Sequence, residues 1–291
     1  MISGFTLVRN AVRLDYPIVP AIRSILDVCD EVLVNVGRSD DGTRDLVAGI
    51  GDPRVRILDT VWDVSAGSGV LSFETNRTMA ACRGQWGVYI QADEVLHETG
   101  AGLLRERMAE WDRDPRVEGL LVDYLHFYGD FDTVATDRHW YRREVRAVRL
   151  GQDIRSYQDA QGFRVGPALR RVRARPTGAR MFHYGWARSP QSMRKKLVAS
   201  QEIFREAADR LADRAANQQR LYWTPLLRRF AGAHPSAAQP WITAGRAAAS
   251  EAGPAVGPRR LRLAHLRLYL SDWIERLTGA RLFEYRNYVE V

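Results

Sequence analysis

A chain of 291 residues that is 45% hydrophobic and 27% charged can build one sizeable core with an appendage, which excludes disorder as its default state. Its first residues, MISGFTLVRN, lack the basic and apolar regions of a secretory signal, and no run approaches the roughly 20 apolar residues of a spanning helix, so a cytoplasmic location is expected. Two cysteines, Cys29 and Cys82, are too few for a disulfide scaffold or a four-thiolate zinc site, and the net charge of +8, carried almost wholly by arginine, suits an anionic partner. Nucleic acid is not the expected partner, because the chain has no helix-turn-helix, zinc-finger or aromatic-basic RNA-reading signature.

Short apolar runs alternate with helical patterns from the start. Ile2 to Leu7 reads as a strand, Ile18 to Val28 as a helix, and EVLVNV (31–36) as a β-rich run. A helix over 41–50, a strand over 54–59, a helix over 73–82 and a strand over 86–91 follow. Such βα alternation with apolar strands predicts a parallel sheet with helices on both faces, in which ligands bind beyond the carboxyl ends of the strands. After residue 100 the rhythm changes. VEGLLVDYLHFYGDF and REVRAVRL read as long strands with no long helix between them, so antiparallel pairing is expected there. Helical spacing returns from Ser189 to about Leu226, residues 232–258 are rich in Ala, Gly and Pro and read as a linker, and 259–277 predicts an amphipathic closing helix.

Three stretches carry a family resemblance. SDDGT (39–43) follows the second strand, NRTMAACRGQWGVYIQADE (76–94) runs from a helix through a strand into paired acids, and REVRAVRL, DAQGF and MFHYGW come later in that order. Together they resemble the family 2 glycosyltransferases of the GT-A fold, in the bacterial branch whose metal motif ends in Asp-Glu. The resemblance spans about 1–190. It implies an α/β fold with a Rossmann-like, mostly parallel sheet, antiparallel acceptor-side strands and a helical C-terminal extension. The implied organisation is a catalytic domain over 1–188, with a nucleotide-sugar half (1–98) and an acceptor half (99–188), followed by the extension over 189–291. The implied activity is metal-dependent, inverting transfer of a hexose from a nucleotide sugar to a glycan or lipid-linked hydroxyl, with Mg²⁺ or Mn²⁺ as cofactor.

The resemblance also nominates residues. Asp93, at the tip of the fourth predicted strand and expected to be exposed, is the metal and donor residue, while Glu94 has the plainer reading of a helix-terminus acid. Relatives commonly carry an acid where this chain has Gln91, which can hydrogen-bond a ribose or phosphate but adds no charge to a metal site. His183 is the candidate second ligand, against the alternative that it packs on Tyr184 and Trp186. Arg9, Asn10, Asp41 and Asn76 are the other donor-side candidates, although Asp41 and Thr43 equally suit a turn before a helix. The position where relatives read the base falls near Val36 or Gly37, so the base is not legible. For the general base, Asp159 in a polar loop is preferred to Glu144, whose neighbours Arg142, Arg143 and Arg146 are expected to depress its pKa. Of Tyr124, Phe127, Tyr128, Trp140 and Tyr141, most are expected in the core and one or two under a sugar ring. His126 and His139 read as structural.

Two other classes compete. A sugar-phosphate nucleotidyltransferase would share fold and metal, but TLVRNAVRLDYP lacks the glycines of a phosphate loop. A non-catalytic nucleotide-sugar-binding module would dispense with the acids, and Asp93 is kept. In the closing helix Leu263, Leu266, Leu270, Trp273, Ile274 and Leu277 share one face, expected to pack on the catalytic domain, while Arg260, Arg262 and Arg267 stay solvated. The alternative is that these arginines meet an anionic membrane at its inner face or a lipid-linked diphosphate acceptor.

Overall fold

The computed structural model describes residues 1–203, 226–252, 266–282 and 284–291. Its first half is parallel. Strands β1 (Ile2–Val8), β2 (Glu31–Gly37), β3 (Val55–Thr60) and β4 (Trp86–Tyr89) lie in the order β3-β2-β1-β4, with every neighbour parallel. All residues of β2 are buried, as a central strand covered on both faces requires, whereas β3 at the edge is only partly so. Alternation sorts the side chains. Val32, Val34 and Val36 face α1 (Ile18–Ile25) and α4 (Thr99–Trp111), while Leu33, Phe5 and Tyr89 face the side on which α3 (Gly69–Ala80) brings Leu71 and Met79. The short α2 (Thr43–Ala48) adds Val47 to the first of these layers.

β8 (Arg143–Arg149) joins the two halves, running antiparallel to β4 on one side and to β6 (Gly119–Tyr128) on the other. β6 then pairs in parallel with the 17-residue β11 (Arg170–Trp186), and β9 (Ile154–Tyr157) and β10 (Gly162–Val165) extend the sheet beyond it. The short β5 (Glu94–Leu96) lies antiparallel on β11, and β7 (Thr133–Ala135) on β6. The α/β class, the parallel first half and the antiparallel β6–β8 pair are those expected for a GT-A fold. β11 has no counterpart among the expected strands, because Pro176, Gly178 and alternating arginines hide it. A register shift between Pro176 and Arg180 lets β11 pass that interruption.

The C-terminal part is more than a helical appendage. Besides α5 (Pro190–Ile203), α6 (Gln239–Ala252) and α7 (Leu266–Thr278), it supplies β12 (Leu227–Arg229), which pairs with β7, and β13 (Tyr288–Glu290), which pairs with β11. The linker expected over 232–258 is instead a 3₁₀ turn followed by α6 as far as residue 252. Alanine is the best helix former, and Pro240 sits in the first turn, where its missing N–H has no intrahelical partner to lose. Ala238 and Ile242 are buried against Phe127, Phe182 and Tyr184, so this segment belongs to the core. Residues 204–225, 253–258 and 259–265 of the predicted segments lie outside the described residues.

Candidate active site

The parallel strands β1, β2 and β4 end at one edge, and the loops after them converge there. Their cohesion comes from the SDDGT stretch. Asn10 N donates to Ser39 Oγ at 2.9 Å, Ala11 N to Thr43 Oγ1 at 2.7 Å, and Arg13 N to Asp41 Oδ2 at 2.8 Å. Asp41 also accepts from the Thr43 backbone at 3.1 Å, so it builds the loop pair. Arg9 and Asn10 stay half-buried at the end of β1, Asn10 in the left-handed region with φ 56°. Asn76 faces elsewhere. Its amide bridges Ser156 on β9, accepting at 2.7 Å and donating at 3.1 Å, which leaves it clamping α3 to the sheet.

The paired acids divide their labour. Glu94 is fully buried and forms an ion pair with the fully buried Arg146, at 2.8 Å from Oε1, and it also accepts from Tyr124 Oη at 2.8 Å and Gln91 N at 3.0 Å. It is neither a helix-terminus acid nor a cleft acid, but the tie between β5, β6 and β8. Asp93 turns the other way, and it is not the exposed strand-tip acid expected, being 8% exposed. Its Oδ2 accepts from Lys196 Nζ of α5 at 2.9 Å, and its backbone carbonyl accepts from Tyr184 N at 2.8 Å. Burial pushes the Asp93 carboxyl up, but the Lys196 ammonium, then His183 and the Arg188 guanidinium, more than offset this and hold it well below the usual carboxylate range.

His183 comes to the same point because β11 bulges between His183 and Trp186. A Cβ at Gly185 would sit 2.5 Å from His183 Nε2 and 2.9 Å from Asp93 Oδ2, so only glycine lets the strand pass this closely. His183 Nε2 lies 3.8 Å from Asp93 Oδ1, and its Nδ1 lies 2.9 Å from Nδ1 of His126. The tautomers follow from the next bond. His126 Nε2 is 2.7 Å from the Tyr141 carbonyl, which only accepts, so Nε2 carries the hydrogen. Burial holds His126 neutral, with its pKa well below the ordinary histidine value, so its Nδ1 accepts from His183 Nδ1–H. Burial also lowers the pKa of His183, and in its neutral form Nε2 carries a lone pair facing Asp93, with His126 orienting the ring. His126, read as structural from sequence, therefore belongs to the site. Its partner lies 57 positions away, a separation without any local signature.

Two cations close the cleft. Lys196 Nζ also donates to the Gly185 carbonyl at 3.0 Å and lies 5.8 Å from the centre of the Trp186 ring. Arg188, 4% exposed, donates through Nη1 to the Leu14 carbonyl of the loop after β1 and lies 5.1 Å from the Tyr16 ring centre. Its Nε and Nη2 are buried with no hydrogen-bond partner among the described residues. An orphaned, buried guanidinium edge is costly unless an anion completes it. Neither residue was marked by a sequence motif.

On the far side of Gln91, whose side chain donates to the Ala160 carbonyl at 3.3 Å, lies the loop that carries Asp159. Asp159 is exposed, held between Gln158 and Ala160 at φ 52° and 61°. Glu144 is 1% exposed and bonded to Asn287 at 3.0 Å and Gln161 at 3.1 Å. Its pKa is raised rather than depressed, because burial outweighs the nearby Arg146, while Arg142 and Arg143 are engaged by Glu284 and Asp123. Phe127 is core, as expected of most of the aromatic group. Tyr128 and Trp140 are half-buried, and their rings stand 5.9 Å apart near Trp186. A cavity of about 310 Å³ lies behind this group, lined by His126, Trp140, Arg142, Glu275 and Arg281 among others. His139 is 2.9 Å from Asp137, away from these rings.

No family model matches the chain, and no curated protein matches it. Among solved structures it is similar to S. aureus TarS in complex with UDP, at 19% identity over 44% of this chain and 36% of that one, with a TM-score of 0.34. Glucosyl-3-phosphoglycerate synthase from Mycobacterium tuberculosis, in complex with Mn²⁺, UDP and phosphoglyceric acid, shows 21% identity over 43% of this chain and 43% of that one, with a TM-score of 0.32. Mannosyl-3-phosphoglycerate synthase from Rubrobacter xylanophilus shows 22% identity over 45% and 42%, with a TM-score of 0.31. The chain thus spans less than half the length of each of these structures.

Proposed function

We propose that this protein is a glycosyltransferase that moves a hexose, with inversion, from a nucleotide-sugar donor to a hydroxyl acceptor on a glycan or a lipid-linked sugar, at the cytoplasmic side of the membrane. The observation that carries the reading is the Arg188 guanidinium, buried with its Nε and Nη2 unpartnered among the described residues, beside Lys196 at the carboxyl ends of the parallel strands. That is a place built for a diphosphate. The Arg188 edge donates to phosphate oxygens, and Arg9 and Asn10 line the same loop end.

The donor set suits a divalent cation. Asp93 Oδ1, in the turn before β5, and His183 Nε2, on β11, are oxygen and nitrogen donors 3.8 Å apart, and Mg²⁺ or Mn²⁺ held there would draw its remaining ligands from phosphate and water. When bound, the ion would neutralise charge on the leaving diphosphate. Gln91, lacking charge, positions the donor and the Asp159 loop together.

On the acceptor side Asp159 takes the proton of the attacking hydroxyl as its oxygen bonds to the anomeric carbon and the bond to phosphate breaks. A single displacement of this kind inverts the centre. Trp140 and Tyr128 offer apolar ring faces for the sugar. Asp159→Asn is expected to keep donor binding and lower turnover by roughly 10²-fold or more, the scale for a lost general base. Glu144→Gln should change turnover only a few-fold, because that carboxyl is enclosed by Asn287 and Gln161. If the two results are exchanged, the proton goes to Glu144.

A thermal-shift screen of nucleotide sugars with and without Mn²⁺ tests the reading as a whole. Stabilisation by a nucleotide sugar is expected in the parent chain, and Arg188→Gln should weaken it by at least about tenfold in affinity, the scale for a charged hydrogen bond. Equal binding by Arg188→Gln would remove the diphosphate assignment. Binding followed by no transfer to any hydroxyl would favour a non-catalytic module.

A further inference from the structure

The closing helix turns its apolar face outward. Leu268, Ser271 and Asp272 are the residues of α7 buried against the body. Ion pairs fasten that inner face, with Arg228 and Asp272 at 2.7 Å, Arg142 and Glu275 at 3.2 Å, and Arg281 and Glu275 at 2.7 Å. Leu266, Leu270, Trp273 and Leu277 are instead 61%, 58%, 59% and 65% exposed. At 3.6 residues per turn these four fall within about 60° of one another, on the side opposite Leu268 and Asp272. The expectation that this face packs on the catalytic domain is therefore wrong for every one of its described members except the half-buried Ile274. Polar anchors hold the helix to the body, and no described residue covers its hydrophobic stripe, an exposure that folding alone does not favour.

We infer that this stripe is a docking surface for an anionic lipid bilayer, on which α7 lies in the interfacial plane. Charge selects that occupant. Arg267 flanks the stripe on one side and Arg276, which also pairs with Asp272 at 2.7 Å, on the other, both exposed, and Arg259, Arg260 and Arg262 precede them in a chain whose net charge is +8. Two copies packed stripe to stripe would press these arginine rims together, whereas anionic headgroups would pair with them. An apolar stripe with a tryptophan and arginine borders is the pattern of a helix that lies on a membrane, and no helix among the described residues is long and apolar enough to cross one. The cavity behind His126 is bounded by the inner side of this helix, through Asp272, Glu275 and Arg276.

Sedimentation of the full chain with phosphatidylcholine vesicles, and with vesicles containing phosphatidylglycerol, at low and physiological salt tests this. Binding only to the anionic vesicles, weakened by salt, is expected. The double substitution Leu270→Ser and Trp273→Ser changes exposed side chains, so the fold should survive, and binding should fall by at least about tenfold. Arg267→Gln should reduce it by about fivefold, the scale of one basic residue at a charged surface. No binding to anionic vesicles, equal binding to both kinds, or undiminished binding by the double variant would each overturn the inference. A concentration-dependent dimer abolished by the same double variant would assign the stripe to a second copy and overturn it as well.

Discussion

Asp93→Asn is expected to lower sugar transfer by roughly 10²- to 10³-fold while the protein still folds, the scale for losing one preorganised electrostatic group in a closed site. Asparagine keeps the oxygen that accepts from Lys196 Nζ at 2.9 Å and removes only the charge. Alanine would be a poorer test, since it strands the Lys196 ammonium in a largely buried position. The depressed pKa of Asp93 means that the parent carboxylate stays ionised at any ordinary assay pH, so its loss cannot be mimicked by mild acid. Initial rates of nucleotide release with and without acceptor, alongside a circular-dichroism melt, make the measurement. Activity within a few-fold of the parent would remove Asp93 from the reaction centre.

The neighbouring acid should behave in the opposite way. Glu94→Gln or Arg146→Met is expected to cost about 3–5 kcal/mol of stability, because each leaves the other charge buried and unpaired. Both side chains are 0% exposed, and the pair carries Tyr124 and the Gln91 backbone with it. Removing both charges together, as Glu94→Leu with Arg146→Met, should recover part of the loss, since no lone charge then remains. Urea unfolding of the two single variants and the double variant reads this directly. A single variant that loses less than about 1 kcal/mol would mean that water or another group satisfies the site.

The contrast between these two adjacent carboxylates shows where reading a sequence stops. Periodicity sufficed for the parallel half, because the runs EVLVNV and WGVY have the apolar continuity that a doubly covered strand needs, and the tip that follows WGVY had to lie at the carboxyl edge of the sheet. It sufficed as well for the antiparallel turn of the sheet through β8. It could not say which of Asp93 and Glu94 faces the cleft, since that depends on Arg146, Tyr124 and Lys196, which arrive from 30 to 103 positions away. The pKa of Glu144 was misjudged for the same reason. Arginines beside it in sequence are engaged elsewhere in space, and burial decides. Likewise the periodicity of α7 revealed an apolar face but not its direction. Composition and local pattern determined which segments of the first half become strands and helices, but not the long β11 or the helix over 239–252. Only the tertiary structure decided the rest, pairing His126 with His183, placing Arg188 and Lys196 beside Asp93, and turning the leucines of α7 to solvent, because long-range packing and charge pairing fix those choices and leave no periodic trace in the chain.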